Sequence, residues 1–410
     1  MLMSKPAKPT HATNISALPL VPALRFPEFR NAPEWGKYRL DKVATFYNGR
    51  AYAQDELLEE GKYKVLRVGN FFTNNNWYYS DLELEETKYC DTGDLLYAWS
   101  ASFGPRIWQG GKVIYHYHIW RVDNKDGTHK GFLYNVLASE TERIKASSAN
   151  GLGLMHVTKG AIESRECYFP EWDEQQKIAD CLSSLDELIV AEASKVEALK
   201  AHKKGLTQQL FPAQGQTIPA LRFPEFRNAG AWHEDTLGNV CEVLNNRRQP
   251  VSSDKRTSGE YPYYGASGIV DYINDYIFDE RLLLVGEDGA KWGAFEKTAF
   301  TAEGKYWVNN HAHVLRPISV VDALLENYLT MIDMAPYVTG AAPPKLTLGK
   351  LKEIPVPIPP LPKEQQKIAD CLSSLDELIT AQASKVEALR AHKKGLMQQL
   401  FPSLADAVGE

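Results

Sequence analysis

The segment Glu174–Pro212 recurs at Glu364–Pro402 with only four of 39 positions changed: Val190/Thr380, Glu192/Gln382, Lys200/Arg390 and Thr207/Met397. A shorter leader, Pro22–Ala32, returns unchanged as Pro219–Ala229. Between these copies lie two long stretches that barely resemble each other. A chain that holds its frame constant and varies two inserts is built to present two different surfaces on one scaffold.

Each repeated segment reads as a long helix. Apolar residues fall at Ile178, Leu182, Leu185, Ile189, Val196, Leu199, Leu206 and Leu210, in steps of threes and fours, with Ala193 near the one missing position. That spacing is a coiled-coil seam. The copy carries Ile368, Leu372, Leu375, Ile379, Val386, Leu389, Leu396 and Leu400. At 1.5 Å per residue each helix would run roughly 55 Å, stopped by Phe211-Pro212 and Phe401-Pro402. An amphipathic helix of this length needs a partner for its stripe. The other copy fits best, antiparallel about an approximate two-fold axis, which would put one insert at each end of a rod. The alternative is that each helix packs only on its own insert. The charged positions Glu187, Lys195, Glu197, Lys203 and Lys204, with their copies, are expected to be solvated or to dock a partner that binds twice.

Both inserts read as α+β. The first has strand-like runs at Tyr63–Val68, Asp94–Trp99 and Lys112–Trp120, and the second at Gly268–Ile273, Arg281–Val285 and Tyr306–Val308. Gly and Asn turns bound them. A helical stretch follows in each, at Gly131–Lys145 and Val321–Met334. A faint common skeleton suggests one fold with two surfaces. Gly111-Lys112 with His116-x-His118 is echoed by Gly304-Lys305 with His311-x-His313, and Leu95-Leu96 before Gly104 by Leu283-Leu284 before Gly289.

A chain of 410 residues suits two to four domains. No apolar run approaches the roughly 18–20 residues of a membrane helix, and the first residues carry no secretion signal. Five cysteines form no C-x-x-C pair, which points to a reducing cytoplasm; Cys181 and Cys371 are expected as small buried thiols of the repeat. The formal charge of −6 argues against a protein that grips nucleic acid unaided.

Signatures of catalysis are missing. Every Gly-Lys pair is followed by Tyr, Val or Leu, so no phosphate-cradling G-x-x-x-x-G-K-[ST] loop exists. There is no G-x-G-x-x-G fingerprint and no Asn/Asp-Pro-Pro-aromatic tetrad of an amino-methyltransferase. The H-x-H pairs could chelate zinc, but no third ligand is evident, so they read as structural histidines; an enzyme using His311 and His313 is the rival reading. Glu287-Asp288 before Gly289 reads as an acidic turn. The inserts do offer amides, aromatics and cations in loops: Asn74-Asn75-Asn76-Trp77-Tyr78-Tyr79, Arg106 with Trp108, Asn245-Asn246-Arg247-Arg248-Gln249, Lys255-Arg256, Lys291-Trp292 and Asn309-Asn310. Arg suits guanine edges, Asn and Gln adenine edges, and Lys phosphates.

With those residues in view, the chain resembles the specificity subunit of a Type I restriction-modification system over nearly its whole length. The marks are Glu174-Gln175-Gln176-Lys177-Ile178-Ala179 with its copy Glu364–Ala369, the Leu-x-x-x-x-Phe-Pro endings at Leu206 and Leu396, Gly93–Ser100, Tyr261–Ile269, Trp307–Val314, and the path from Lys345-Leu346-Thr347-Leu348-Gly349 to Pro355–Pro360. The first copy departs from that path, with Tyr168-Phe169-Pro170-Glu171-Trp172 before its helix. The resemblance implies two globular α/β target recognition domains joined by two long antiparallel helices in a coiled coil, with a pseudo-two-fold internal repeat. The expected divisions are a flexible N-terminus (1–20), recognition domain 1 (21–172), conserved helix 1 (173–212), recognition domain 2 (213–361), conserved helix 2 (362–402) and a tail (403–410).

It further implies a non-catalytic subunit that reads a bipartite target in double-stranded DNA, each insert in the major groove of one half-site and the rod setting the spacer. Two modification subunits using S-adenosylmethionine, and restriction subunits using ATP and Mg²⁺, would do the chemistry, so this chain is expected to bind no cofactor or metal and no membrane. Chosen by chemistry and loop position, the candidate DNA-binding residues are Asn75, Arg106, Arg247, Arg248, Lys255, Tyr264 and Lys291. A non-catalytic scaffold with two protein-binding heads is the alternative.

Overall fold

A computed structural model describes residues 21–72, 74–100, 103–148 and 156–402. The expected N-terminal segment 1–20 and tail 403–410 lie outside the described residues. The chain divides into two compact units, Met1–Val190 with Glu387–Glu410, and Ala191–Val386.

In the first unit the strands are β1 (Gly36–Arg39), β2 (Ala44–Asn48), β3 (Tyr63–Leu66), β4 (Tyr78–Ser80), β5 (Tyr89–Cys90), β6 (Leu95–Ala98), β7 (Gly104–Ile107), β8 (Val113–Tyr115), β9 (Ile119–Asn124) and β10 (Glu166–Phe169). They form sheets ordered β2-β9-β6-β7 and β4-β3-β8-β5, with β1 paired to β10. The second unit has β11 (His233–Thr236), β12 (Cys241–Val243), β13 (Ser258–Gly265), β14 (Gly268–Ile273), β15 (Phe278–Asp279), β16 (Leu282–Gly286), β17 (Ala299–Ala302), β18 (Lys305–Val308), β19 (Ala312–Pro317) and β20 (Pro355–Ile358). Its sheets run β12-β19-β16-β17 and β14-β13-β18-β15, with β11 on β20. The order is the same, strand for strand. The single parallel pairing also recurs, β3 with β8 and β13 with β18. The inserts thus share one fold, although their sequences barely align.

The ladders also fix which residues correspond. Val65 faces Ile114 and Leu66 faces Tyr115, where Tyr263 faces Trp307 and Tyr264 faces Val308. The His116 amide donates to Leu66 O, and the Asn309 amide to Tyr264 O. His116 therefore corresponds to Asn309 and His118 to His311. The echo of His116-x-His118 by His311-x-His313 expected from sequence is out of step by two residues; His313 occupies the place of Trp120. The Leu95-Leu96 and Leu283-Leu284 echo holds, since Leu96 pairs with Arg121 and Leu284 with Val314. Its glycines do not correspond: Gly104 pairs with Ala98, whereas Gly289 lies in the β16–β17 connection.

The long helices run Trp172–Leu210 and Pro362–Leu400. In each unit the start of one helix lies antiparallel to the end of the other. Within the first unit Lys393 reaches Asp186 at 2.5 Å; within the second, the equivalent Lys203 reaches Asp376 at 2.6 Å. Lys203 is thus a cross-helix partner rather than simply solvated. Each helix also closes a core. In the first unit Ile178, Leu182, Leu400 and Phe401 join Phe46, Tyr97, Trp120 and Phe132. In the second, Leu210, Phe211, Ile368 and Leu372 join Leu283, Leu315, Leu325 and Leu346. Cys181 and Cys371 are half-buried, not buried, and all five cysteines are free thiols.

The repeated motifs now have physical reasons. Glu174 takes the leader's Arg25 guanidinium at 2.6 Å, with side chains 6% and 2% exposed. Glu364 takes Arg222 at 2.7 Å, 7% and 1% exposed. The leader is further tied by Leu24 N to Gln399 O and Leu221 N to Gln209 O. Gln175 accepts the His129 amide and Gln365 the Val321 amide, so the next motif residue fastens the start of each insert's helix. Lys177 pairs with Glu28 and Lys367 with Glu225. Ile178-Ala179 and Ile368-Ala369 enter the cores. The departure before the first helix is accommodated: β10 leads directly to a helix starting at Trp172.

One of the four changed positions falls where the copies meet. Gln382 donates its amide to the carboxylate of Glu192, its own counterpart, and to Glu192 O at 3.3 Å. The Lys385 ammonium, then this amide, hold the Glu192 carboxyl below its ordinary range. Gln382→Glu would oppose two carboxylates in a half-dry seam and replace a charge-assisted hydrogen bond by repulsion. It is expected to lower the denaturant midpoint at neutral pH. The loss should shrink as pH falls and one carboxyl takes a proton, which denaturant unfolding at neutral and acid pH measures.

Candidate nucleic-acid interface

In both units the strand that crosses between sheets is interrupted by three residues. The His116-Tyr117-His118 turn joins β8 to β9, with the Ile119 amide donating to His116 O. Asn309-Asn310-His311 joins β18 to β19. The same neighbours frame both turns. The Trp99 amide donates to His118 O and the Glu287 amide to His311 O; the Val157 amide donates to Trp99 O and the Leu346 amide to Glu287 O. Ser100 bridges to His156 as Asp288 bridges to Lys345. One backbone frame therefore carries Trp99, Tyr117, His118 and His156 in the first unit, and Glu287, Asn310, His311 and Lys345 in the second.

The chemistry at the two places is unlike. In the first unit it is aromatic. The Trp99 indole N–H donates to Tyr117 O at 2.7 Å, so the ring keeps only its faces for other contacts. His118 meets that ring edge-on at 4.8 Å and His156 tilts on it at 5.9 Å. Burial pushes His118 down and holds His116 down to about 4, with His118 adding to the effect on His116. Tyr117 is 40% exposed.

His116 makes the stability of the first unit depend on pH. Its folded value lies below its ordinary 6.5, so between these values the unfolded chain holds the extra proton. Stability of the first unit is then complete above about 6.5 and falls as pH drops toward about 4. His116→Asn should flatten that slope in acid unfolding.

In the second unit the place is ionic. Arg248 donates to Glu287 Oε2 and to Ala312 O, both at 2.7 Å. Lys345 lies 3.3 Å from Glu287 and 3.0 Å from Asp288. Asp288 takes the Nδ1 of His311. His313 is buried beneath: its Nε2–H donates to Leu346 O at 2.7 Å, its Nδ1 accepts from Asn245 at 2.9 Å, and burial lowers its pKa. The ring nitrogens of His313 are thus occupied by hydrogen bonds, as the structural reading of that residue requires. Among the described residues no three His, Cys, Asp or Glu side chains group as a metal site. An open cleft of about 630 Å³ lies beside the turn, lined by Lys255, Arg256, Tyr263, Asn309, Asn310 and His311.

The candidate residues chosen from sequence fall in different settings. Lys255 lines the cleft. Arg248 lies behind it, 15% exposed and turned inward onto Glu287. Tyr264 is half-buried, stacked on Phe300 at 5.7 Å. Arg247 lies over the Phe278 ring at 4.4 Å and pairs with Glu280 at 2.7 Å. Lys291 is 81% exposed, 4.0 Å from Glu296. Asn75 is exposed before β4, and Arg106 is exposed on β7, 5.8 Å from the Phe71 ring. No sequence signal marks Tyr117, His156 or Lys345 as site residues; the ladders set Tyr117 level with Asn310 and His156 level with Lys345.

A duplicated frame that holds two heads of one fold but unlike surfaces defines a recognition protein rather than an enzyme. The model of the Type I restriction modification DNA specificity domain matches residues 33–201 and 230–389, and the chain belongs to that family, whose members are non-catalytic. It is similar to the MjaVIII specificity subunit of Methanocaldococcus jannaschii, 22% identical over 332 residues, covering 75% of this chain and 78% of that one. A specificity subunit of Haemophilus influenzae is 40% identical over 143 residues, which span 34% of this chain and 37% of that relative. The crystal structure of the Mycoplasma genitalium S subunit superposes with a TM-score of 0.62 at 19% identity, covering 94% of this chain and all of that one, and shows the same fold. No helix among the described residues is long and apolar enough to cross a membrane.

Proposed function

We propose that this chain is the DNA-reading subunit of a Type I restriction-modification complex, binding an asymmetric bipartite target with one unit per half-site. The observation that carries the reading is the repeated frame: identical leaders and helix motifs, locked by matching buried ion pairs, support heads of equal topology and unequal surface. Cations and amides at Asn75, Arg106, Arg247, Lys255 and Lys291 would meet phosphates and base edges, with Tyr264 and Arg248 shaping the surface from beneath. The exposed helix faces repeat as well. Leu188 and Leu378 are 42% and 46% exposed beside Glu187 and Glu377, which suits two copies of one modification subunit, with restriction subunits added to that assembly. Adenine flipping and methyl transfer from S-adenosylmethionine would fall to the modification subunits, and ATP and Mg²⁺ to the restriction subunits. Free cysteines fit a cytoplasmic setting.

The test is co-expression with the cognate modification subunits and genome-wide mapping of methylated adenines. A two-part motif with a fixed gap is expected; assembly without any motif would make the chain a scaffold. In the same assay Arg247→Ala should weaken methylation at one half-site by roughly 1–3 kcal/mol equivalent and leave assembly intact.

A further inference from the structure

We infer that the three-residue turn between β8 and β9, and its counterpart between β18 and β19, is the specificity-determining element of each unit, with Tyr117 and His118 reading one half-site and Asn310 and His311 the other. The inference rests on the DNA-reading proposal above and deepens it.

The two turns are framed by matching backbone hydrogen bonds, Trp99 N to His118 O with Glu287 N to His311 O, and His116 N to Leu66 O with Asn309 N to Tyr264 O, so they hold equivalent places in the fold. Their side chains have nothing in common except one imidazole, His118 or His311. Around that imidazole every neighbour changes character: Trp99 becomes Glu287, Ser100 becomes Asp288, His156 becomes Lys345 and Tyr117 becomes Asn310. A conserved support with exchanged chemistry is what two readers of different sequences require.

Each set also suits base edges. In the second unit Asp288 holds Nδ1 of His311, which leaves Nε2 to meet a ligand. That side chain is half exposed, and it faces the cleft with Asn310, which offers both donor and acceptor. An acceptor there suits the exocyclic amino group of adenine or cytosine. Lys255 and Arg256 line the same cleft. Lys255 has no carboxylate within ion-pairing distance among the described residues, and Arg256 is 3.1 Å from Asp271; both suit phosphate. In the first unit the Trp99 indole donor is consumed by Tyr117 O, so Trp99 offers its ring faces beside the exposed Tyr117 ring. That surface suits a thymine methyl group.

The test uses the full chain in complex with its modification subunits, selecting from a random-sequence duplex DNA library followed by sequencing. Asn310→Ala and His311→Ala should relax base preference in one half of the recovered motif by tenfold or more at a defined position and leave the other half unchanged. Tyr117→Ala and His118→Ala should do the reverse. The untouched half reports that the variant complex is folded. If the wild type recovers no motif, the DNA-reading proposal itself fails. If the wild type recovers a two-part motif and all four variants keep both halves, the turns are ordinary surface and this inference is overturned. If a variant abolishes binding outright, His311→Gln and Tyr117→Phe decide the matter: an unchanged motif in both overturns the inference.

Discussion

Arg222→Ala is expected to destabilise the second unit by about 3–5 kcal/mol, because it strands a carboxylate in a nearly dry site. Glu364 is 1% exposed and takes both guanidinium contacts at 2.7 Å. Trp232 adds an indole N–H at 3.3 Å, too little to compensate a lost cation. Arg25→Ala should do the same to the first unit through Glu174. Denaturant unfolding followed by tryptophan fluorescence would measure both. The apolar double variant Arg222→Met with Glu364→Leu should recover much of the loss, since a buried pair is replaceable while half of one is not. Equal midpoints for wild type and Arg222→Ala would mean that the leader is held by something other than this pair.

Arg248→Ala is the second large effect. It removes a guanidinium that satisfies Glu287 and the carbonyls of Asn310 and Ala312. With both side chains about 15% exposed, the expected cost is about 3 kcal/mol. The loss should reach function as well, because the carbonyl of Asn310 belongs to the turn beside the cleft. Sequence preference should blur in one half-site while the other stays sharp. Arg248→Met keeps the volume and loses the charge; if it behaves like wild type in both unfolding and DNA selection, the ionic cluster does not position the turn.

The frame was legible from sequence because repetition and a seam are one-dimensional signals. Ile178, Leu182 and Leu210 lie in cores as their spacing predicts. The α+β reading of the inserts and their helices also agrees with the structure. What the sequence concealed was the break at His116-Tyr117-His118. Alternating aromatic residues continue a strand pattern without a glycine or proline to interrupt it, so Lys112–Trp120 reads as one strand, although it feeds two sheets. Asn309-Asn310 signals its turn openly. The same concealment misaligned the histidines, because matching identical letters set His313 level with His118, whereas the ladders set it level with Trp120. Arg248 shows another limit. A loop arginine looks like a hand held out to a ligand, and only the fold reveals Glu287 waiting behind it.

The contact between Glu192 and Gln382 bears on how the chain avoids its own kind. Two separate chains meeting through their first helices would bring Glu192 against Glu192, a homotypic encounter of like charges. Meeting its own second helix, Glu192 finds an amide instead. One of the four differences between the matched segments thus favours pairing of the first helix with the second over pairing with another copy of itself.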